Sequence, residues 1–501
     1  MRTTVEARML SRRTALLTAL AGATLGRMPA WADTPPVTLR VERRSIEVNG
    51  KPVSVLRIAQ PDGTPGVSTA VGRQFRVRVD NALDVPTLIH WHGLAPPWQQ
   101  DGVPGISAPP IPPGGTADYD FPLRFGGTFW MHSHQGLQEQ ELLAAPLIIH
   151  DGRAGPDVQE VVVMLADFSF TPPEAIFAGL RKGSAMAGMK MPGMKMPGMK
   201  MPGMKMPGMK MSDSDMAGMD MSEPGAAAKD AAPDLNDVKY DAFLANDRTL
   251  ADPDVIRVAP GGDVLLRIIN SSAMSAYHVD LGALQGTLIA VDGMRVQPVP
   301  GRRFPIAVAQ RLDIRLTLPR APAAHPVLAI LEGERAQTGV ILRAGDAPVA
   351  RVPTQADAAS PALTLTLEAR LRALVPLAPR KADRVHLVDL TGSMENYVWS
   401  INGVVWNKDV PPLAVARGER VELVLHNRTP MPHPMHLHGH TFQVVEIGGR
   451  RFAGAMRDTV LVPPRTRVVV AFDADNPGWW AFHCHLLYHM DAGMFTTVRY
   501  V

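Results

Sequence analysis

The chain has 501 residues, of which 46% are hydrophobic and 20% charged, with 16 histidines, 27 methionines and one cysteine. This length indicates about three domains, at roughly 150 residues each. The formal charge of +3 falls to −1 without residues 1–32, which contain five arginines and one glutamate (+3 − 4 = −1). Such a balance gives no electrostatic reason to expect nucleic acid or an anionic membrane as a partner, and a single cysteine excludes an internal disulfide framework.

Residues 1–32 have the features of an export signal. Arg12 and Arg13 precede the apolar run "TALLTALAGATLG", and the small residues Ala30 and Ala32 follow it. This pattern predicts a twin-arginine signal that is cleaved after Ala32. The apolar run of about a dozen residues is too short to cross a bilayer, which takes about 20. We therefore expect a periplasmic protein with no membrane anchor after cleavage.

Short alternating runs separated by Gly-Pro clusters follow the signal, and they predict antiparallel β-sandwiches. Three phrases echo one another: "VGRQFRVRVDNAL", "PGGDVLLRIINSS" and "ARGERVELVLHNRT". Each contains a glycine, an apolar strand and an asparagine before a turn. The echoes indicate three copies of one sandwich unit, with expected boundaries at residues 37–152, 157–348 and 360–501.

Low-complexity sequence interrupts the second unit at about residues 184–233. Residues 187–211 contain "AGMKM" once and "PGMKM" four times, and 14 of the 27 methionines lie between Met186 and Met221. Proline and glycine in the repeats oppose both helix and strand, so we expect a mobile loop. Thioether sulfur favours Cu(I), although a plain linker is the alternative. The candidate Cu(I) ligands in this segment are Met189, Met191, Met194, Met196, Met199, Met201, Met204, Met206, Met209 and Met211.

Four histidine clusters lie in the first and third units: "HWHG" from His90, "HSH" from His132, "HPMHLHGH" from His433 and "HCHLLYH" from His483. Because residues i and i+2 share one face of a strand, each His-x-His presents two imidazoles side by side. Imidazole is a common ligand of copper and zinc. Eight such rings exceed what one metal ion needs, so the four clusters together predict a site for several metal ions.

The single cysteine lies between two of these histidines. In an extended segment His483 and His485 point to one face and Cys484 to the other, so one backbone segment can serve two metal centres. A thiolate with two imidazoles and a weak thioether is the ligand set of blue copper. The residues that can complete this set are His433, His489 and Met494.

The motifs "HWHG", "HSH", "HPMHLHG" and "HCHLLYHMDAGM" resemble, in order and spacing, the four copper-binding motifs of the multicopper oxidases, which include laccases and bacterial copper-resistance oxidases. The resemblance covers about residues 37–501. It implies an all-β fold of three cupredoxin-like Greek-key sandwiches with four copper ions, three of them at the interface of the first and last domains. The implied ligands are His433, Cys484, His489 and Met494 for type 1 copper; His90 and His436 for type 2 copper; and His92, His132, His134, His438, His483 and His485 for the type 3 pair.

The resemblance also implies the reaction. A reductant gives electrons singly to type 1 copper, they pass through Cys484 to the flanking histidines, and dioxygen takes four electrons and becomes water. Asp101, nine residues after His92, resembles the family carboxylate beside type 2 copper and is the expected proton relay; its alternative role is a turn-forming Asp-Gly. Some copper-resistance relatives have a glutamate directly after the last type 1 histidine. This chain has Met490 there, so Asp491 is the expected second proton donor.

The signal, the insertion and the motif set together resemble periplasmic copper-resistance oxidases, and the first hypothesis is a cuprous oxidase that detoxifies copper. Met431 stands where the substrate-metal site of a relative has a methionine, whereas Thr429 stands where that relative has an aspartate. Two alternatives stay open: a laccase-type oxidase of phenols, and a periplasmic copper store without catalysis. We expect a monomer whose partners are dioxygen and either Cu(I) or a small aromatic reductant.

Overall fold

The structure is a computed structural model that describes residues 35–152, 154–187 and 235–501. Within these residues the chain forms six β-sheets, which follow one another in three pairs. The first pair is built from β1 (Val37–Val48), β2 (Lys51–Ala59), β3 (Val67–Ala70), β4 (Gln74–Asn81), β5 (Ile89–His92), β6 (Thr116–Pro122), β7 (Gly127–Ser133) and β8 (Ala144–His150). Its sheets have the orders β2-β1-β4-β6 and β3-β8-β7-β5. A short 3-10 helix, Trp98–Gln100, follows β5.

The second sandwich follows the same plan with larger sheets. Its strands are β9 (Val158–Phe168), β10 (Ala242–Ala245), β11 (Val255–Val258), β12 (Asp263–Asn270), β13 (Tyr277–Asp280), β14 (Gly286–Val291), β15 (Met294–Gly301), β16 (Arg303–Ile306), β17 (Arg311–Thr317), β18 (Ala323–Leu331) and β19 (Gln337–Ala344). They form the sheets β10-β9-β12-β17-β14-β15 and β11-β19-β18-β13-β16. A 3-10 helix, Glu368–Arg370, lies between the second and third sandwiches.

The third sandwich completes the series. Its strands are β20 (Arg384–Ser393), β21 (Val398–Ile401), β22 (Leu413–Val415), β23 (Arg420–Asn427), β24 (His433–Leu437), β25 (Phe442–Ile447), β26 (Arg450–Arg451), β27 (Met456–Arg457), β28 (Thr459–Val462), β29 (Arg467–Asp473), β30 (Trp479–Cys484) and β31 (Phe495–Tyr500). They form the sheets β21-β20-β23-β29-β25-β26, with β27 beside β25, and β22-β31-β30-β24-β28.

The three echoing phrases form equivalent strands. They are β4, β12 and β23, and each pairs in parallel with the first long strand of its sandwich. Each ends in an asparagine whose side-chain oxygen accepts from the backbone N–H two residues on, at 3.0 Å for Asn81, 3.2 Å for Asn270 and 2.8 Å for Asn427. This local turn is the reason why asparagine recurs there.

Each sandwich has its own apolar core, because the strands bury alternate side chains. In β4, for example, Phe75, Val77 and Val79 are buried while Gln74 and Arg78 are exposed. The core of the third sandwich continues into its neighbours through buried residues such as Trp130 and Ile269. The expectation of three sandwiches is therefore confirmed, whereas the exact domain boundaries stay a prediction.

Two α-helices accompany the strands in the described part of the chain. The helix α1 (Pro173–Ala187) follows β9, and α2 (Leu487–Asp491) follows β30. Sequence patterns did not predict α1, which ends inside the expected insertion; the candidate methionines from Met189 to Met211 lie outside the described residues. The α1 side chains Ile176, Phe177 and Leu180 pack against the core of the third sandwich. Among the residues that the structure describes, no helix is both long enough and apolar enough to cross a bilayer.

Candidate metal centre

Two strand pairings bring the eight histidines of the expected cluster together. In the first sandwich β5 and β7 place His90 opposite His132, and in the third sandwich β24 and β30 place His436 opposite His483. The two pairs face each other, because the Nε2 atoms of His90 and His436 lie 3.5 Å apart. Each residue of the set is buried, with exposure from 0% to 8%.

The inward nitrogens separate into three groups. The first is the His90–His436 pair. In the second, Nε2 of His483 lies 2.9 Å from Nε2 of His438 and 3.4 Å from Nε2 of His134. In the third, the buried atoms His92 Nδ1, His132 Nε2 and His485 Nε2 have no hydrogen-bond partner.

Most of the outward nitrogens are held by oxygen acceptors, which fixes the ring orientations. The Nδ1–H groups of His90 and His436 donate to the carbonyls of Asp101 and Asp458, each at 2.9 Å. The Nδ1–H of His483 donates to the Cys484 carbonyl at 2.9 Å. An acceptor on one ring nitrogen leaves the lone pair on the other nitrogen, so the inward atoms are free to bind a metal.

Asp101 lies beside the cluster, as its spacing from His92 predicts. Its Oδ2 accepts from Nδ1 of His438 at 2.8 Å, and its Oδ1 is buried without a hydrogen-bond partner, 3.3 Å from Nδ1 of His90. The carboxylate therefore connects histidines of the first and third sandwiches while it keeps one oxygen free.

Two further buried carboxylates hold ligand histidines, and sequence reasoning missed both. Oε2 of Glu139 lies 2.7 Å from Nδ1 of His132, and Oδ1 of Asp458 lies 3.0 Å from Nε2 of His92. Burial raises the pKa of Glu139 well above its ordinary value, and the charge of Asp167 adds to this effect. No motif marks either residue; the signal that they are part of the site is their contact with histidines.

Eight of the histidines in the two clusters are electrically neutral at ordinary pH. Burial is the main cause that lowers the pKa of seven of them well below the usual range, with neighbouring imidazoles as the second cause for most: His92, His132, His134, His433, His436, His438 and His485. The pKa of His483 is lowered to about 4. Neutral imidazoles are the form that binds a metal ion, so the fold prepares these groups for binding.

The cysteine forms a second cluster on the other side of β30. Its Sγ lies 3.6 Å from Nδ1 of His433 and 3.9 Å from Nδ1 of His489, and these two nitrogens are 3.2 Å apart. Met494 is completely buried, and its carbonyl accepts from the Cys484 N–H at 3.0 Å. The backbone thus brings the expected fourth ligand back beside the cysteine.

The outer edges of the two imidazoles beside the cysteine are also covered. Nε2–H of His433 donates to Thr429 Oγ1 at 2.7 Å, and Nε2–H of His489 donates to Asp237 Oδ2 at 2.9 Å. The ring of Trp399 stacks on His489 with a centroid distance of 4.0 Å. Asp237 was not found from the sequence, because a lone aspartate after a low-complexity segment has no distinguishing pattern.

The donors fit copper. A thiol with two imidazoles and a thioether is a soft set suited to blue copper, and three groups of inward imidazole nitrogens suit further copper ions. Three orphaned, buried nitrogens in one group are costly unless a ligand satisfies them, which is the strongest structural sign of a bound metal.

Asp491 lies apart from the two clusters, whereas Met431 is buried next to Thr429, the hydrogen-bond partner of His433. Asp491 is exposed at the end of α2, and within residues 35–152, 154–187 and 235–501 no hydrogen bond or ion pair joins it to a ligand histidine. Met431 is 1% exposed and belongs to the core of the third sandwich, so its sulfur is not at the surface.

The fold and the two clusters define a copper-dependent oxidase. Profiles described as multicopper oxidase match residues 40–154, 218–344 and 379–501. The chain is similar to multicopper oxidase MmcO of Mycobacterium tuberculosis, with 31% identity over 97% of this chain and 91% of that protein. It is also similar to a copper resistance protein A homolog of Pseudomonas syringae pv. tomato, with 27% identity over 96% of each chain.

Solved structures agree on the fold. The crystal structure of Fet3p, described as a multicopper oxidase that functions in iron import, superimposes with a TM-score of 0.74 at 19% identity, over 93% of this chain and 90% of that one. The chain belongs to the multicopper oxidase family. Its domains are cupredoxin-like, its cofactor is four copper ions of types 1, 2 and 3, and its acceptor is dioxygen.

Proposed function

We propose that this multicopper oxidase takes its electrons from Cu(I) and serves copper tolerance in the periplasm. The observation that carries the proposal is the burial of both imidazole edges at the cysteine cluster. His433 and His489 are each 0% exposed, and their outer nitrogens are already bonded to Thr429 and Asp237. A phenol therefore finds no exposed imidazole edge of His433 or His489 to contact. A metal ion needs only a charged or polar group close to these histidines.

The cover over this site comes from both ends of the expected insertion. Before it, Phe177 of α1 stacks on Tyr488 at a centroid distance of 5.9 Å, and Arg181 lies over the Phe177 ring. After it, the side chain of Asp237 is fully buried and also accepts from the Tyr397 hydroxyl at 2.6 Å. This enclosure supports a small reductant over a planar aromatic one.

Asp237 supplies a negative charge beside His489 that attracts such an ion. Its second oxygen, Oδ1, is buried and has no hydrogen-bond partner among the residues that the structure describes. A carboxylate with one oxygen on His489 and the other free offers a negatively charged path from an approaching cation to the ligand histidine. The methionines of the insertion are proposed to deliver Cu(I) to this side of the molecule, because thioethers bind that ion preferentially.

The geometry supports the ligand assignment implied by the motifs. We propose type 1 copper on His433, Cys484, His489 and Met494, and type 2 copper on His90 and His436. The type 3 ions divide between His134, His438 and His483 on one side and His92, His132 and His485 on the other, in accord with the second and third groups of inward nitrogens.

When bound, the coppers collect single electrons and pass four of them to dioxygen. With Cu(I) as reductant the overall reaction is 4 Cu(I) + O₂ + 4 H⁺ → 4 Cu(II) + 2 H₂O. The residues of the chain arrange this transfer. Cys484 lies directly between His483 and His485 in the backbone, so the two clusters are joined by a short covalent path. Both clusters are shielded from bulk solvent at this segment, because these three residues are 0% to 2% exposed.

The four protons need a route to the buried cluster. Asp101 is proposed as the relay, because Oδ2 holds Nδ1 of His438 while Oδ1 has no hydrogen-bond partner. Asp491 stays the proposed second donor from sequence, although its exposed position on α2 gives it no direct contact with the cluster histidines in the described part of the chain. Residues 1–32 are proposed to direct export by the twin-arginine route.

The two alternative functions, a phenol oxidase and a copper store, have less support from the geometry of the site. A laccase-type phenol oxidase needs an accessible ligand edge at type 1 copper, which is covered here. A copper store without catalysis has no use for eight converging histidines with a cysteine-centred cluster beside them.

Oxygen consumption by the copper-loaded protein tests the proposal, with Cu(I) as the sole reductant in one series and a simple phenol in the other. The intact chain is compared with a variant that lacks residues 186–221. We expect rapid Cu(I) oxidation that the deletion slows selectively. If oxygen consumption is faster with phenol than with Cu(I) and the deletion does not change it, the laccase function is favoured. If neither reductant supports oxygen consumption, catalysis is excluded.

A further inference from the structure

The second sandwich contributes no histidine to the cluster, yet one of its side chains reaches it. Arg311, at the start of β17, is 0% exposed. Its Nη1 donates to Oδ1 of Asp458 at 2.8 Å, and its Nη2 donates to the other oxygen of that carboxylate. This is a bidentate pair between the second and third sandwiches, in which arginine fixes both distance and direction.

The rest of the guanidinium is committed to the surrounding backbone. Nε donates to the Thr128 carbonyl of the first sandwich at 3.2 Å, and Nη1 also donates to the Ala309 carbonyl at 3.0 Å. Asp292 accepts from the Arg311 backbone N–H at 2.9 Å. Arg311 therefore contacts all three sandwiches and cannot rotate without losing several buried hydrogen bonds.

Asp458, which Arg311 holds in place, in turn contacts two histidines of the cluster. Oδ1 accepts from Nε2–H of His92 at 3.0 Å and from the Thr459 hydroxyl at 2.9 Å. The Asp458 carbonyl accepts from Nδ1–H of His436. One aspartate thus orients a histidine of the first sandwich through its side chain and a histidine of the third through its backbone.

The consequence is specific to His92. Because its Nε2 is occupied by Asp458, the inward atom is Nδ1, and that atom is buried without a partner. The other histidines in the three inward groups present Nε2. A ring that must turn the opposite nitrogen inward needs an acceptor at a defined place on its outer side.

The Arg311–Asp458 ion pair packs directly against Gly93, the glycine of "HWHG", and leaves no room for a side chain there. At Gly93, with φ +88°, an added Cβ would lie 2.6 Å from Nη2 of Arg311 and 2.7 Å from Oδ2 of Asp458. The absence of a side chain at this position is what lets the ion pair approach the histidine beside it.

We propose that the Arg311–Asp458 ion pair is a positioning device for His92, so that the second sandwich determines whether the cluster binds its full set of coppers. The inference rests on the assignment of His92 as a type 3 ligand and is independent of the identity of the reductant. Removal of an outer partner of a metal-bound histidine commonly lowers metal affinity about 10- to 100-fold.

The test uses Arg311→Lys and Asp458→Asn, which retain size or shape, with His92→Ala to check the ligand assignment. The matched control is Arg267→Lys, because Arg267 is also a buried arginine between the first and second sandwiches, bonded to Thr128, Glu160 and Asp313, but touches no histidine. Three readouts are taken on the purified, copper-loaded proteins: copper per chain, the blue absorption of type 1 copper, and the electron paramagnetic resonance signal that counts uncoupled Cu(II).

We expect Arg311→Lys and Asp458→Asn to keep the blue absorption but to hold fewer than four coppers per chain, with affinity for the missing ions 10- to 100-fold lower. Arg267→Lys should keep all four. If His92→Ala loses cluster copper while both ion-pair variants retain it with unchanged spectra, the positioning role is refuted. If His92→Ala itself keeps a normal cluster, the ligand assignment fails instead. Should one ion-pair variant not fold, the other decides the outcome.

Discussion

Oδ2 of Asp237 lies 2.9 Å from Nε2 of His489, and both side chains are fully buried. The contact joins residues 252 positions apart and places a carboxylate one hydrogen bond from the type 1 site. In a buried environment such a charge is screened less than it is in water. At a copper ion held by the proposed type 1 ligands, this charge would stabilise the oxidised state relative to the reduced one.

Replacing Asp237 by Asn should raise the midpoint potential of type 1 copper, because the negative charge is lost while the shape is kept. A hydrogen bond to a charged group contributes about 1.5–3 kcal/mol, which corresponds to a shift of about 65–130 mV for a one-electron couple. Spectroelectrochemical titration of the blue absorption measures this. The control is Tyr397→Phe, which removes a donor to the same oxygen but leaves its charge, and should not raise the potential.

Removing the Phe177 side chain should open the type 1 site to larger reductants. Phe177→Ala deletes the ring that stacks on Tyr488, and we expect kcat/KM for a simple phenol to rise about tenfold, a change of about 1.4 kcal/mol, with little effect on Cu(I) oxidation. Val375→Ala, at a residue that is 80% exposed, serves as the surface control. Equal phenol turnover in all three proteins would show that α1 is not the barrier.

A pair of glycines separates backbone strain from steric conflict beside the cluster. Gly93 (φ +88°) and Gly72 (φ +81°) have similar backbone conformations, but a Cβ at Gly72 meets nothing within 4 Å. Gly72→Ala should therefore cost only the conformational penalty of about 1–2 kcal/mol. Gly93→Ala should cost about 2–5 kcal/mol, because overpacking is added, and should also lower the copper content. Denaturant unfolding with copper analysis measures both, and equal destabilisation of the two variants would contradict the packing around Arg311.

The stability of the protein should fall as pH rises from about 4.5 to about 7 because of Glu332. This carboxyl is 3% exposed, and burial raises its pKa to about 7. Its stabilising contribution is complete below its ordinary pKa near 4.5, and is lost progressively as pH rises to the folded pKa of about 7. Glu332→Gln should then stabilise the protein by about 3 kcal/mol at pH 8.5 and hardly at pH 4.5. Thermal unfolding at the two pH values tests this, with the exposed neighbour Glu334→Gln as the control that should show no such difference.

Copper uptake by the type 1 site should depend on pH through Cys484. Burial raises the pKa of this thiol, so metal binding must release its proton. The apparent affinity for Cu(II) should increase about tenfold per pH unit between pH 6 and 8. Equilibrium titration of the metal-free protein, followed by the blue absorption, measures the slope. A pH-independent affinity would mean that the thiol is already ionised before copper arrives.

Much of the fold was predictable because its signals are local. The alternating strands, the three echoing phrases and the asparagine that ends β4, β12 and β23 depend on residues within a few positions of one another. The helix α1, which precedes the repeats, was not predicted. It is stabilised by its contact with the third sandwich, and the local sequence does not reveal that contact.

By itself, the sequence determined the family, the fold class and the copper ligands to be tested. Histidines two residues apart on a strand must share a face, so the ligand pairs are encoded within single short segments. The supporting residues were decided only by the tertiary structure: Glu139, Asp237, Asp458 and Arg311 have no motif. His92 and Asp458 are 366 residues apart. A buried carboxylate that orients a ligand and an exposed one that does nothing look alike in a sequence, because the difference lies in which distant element folds against them.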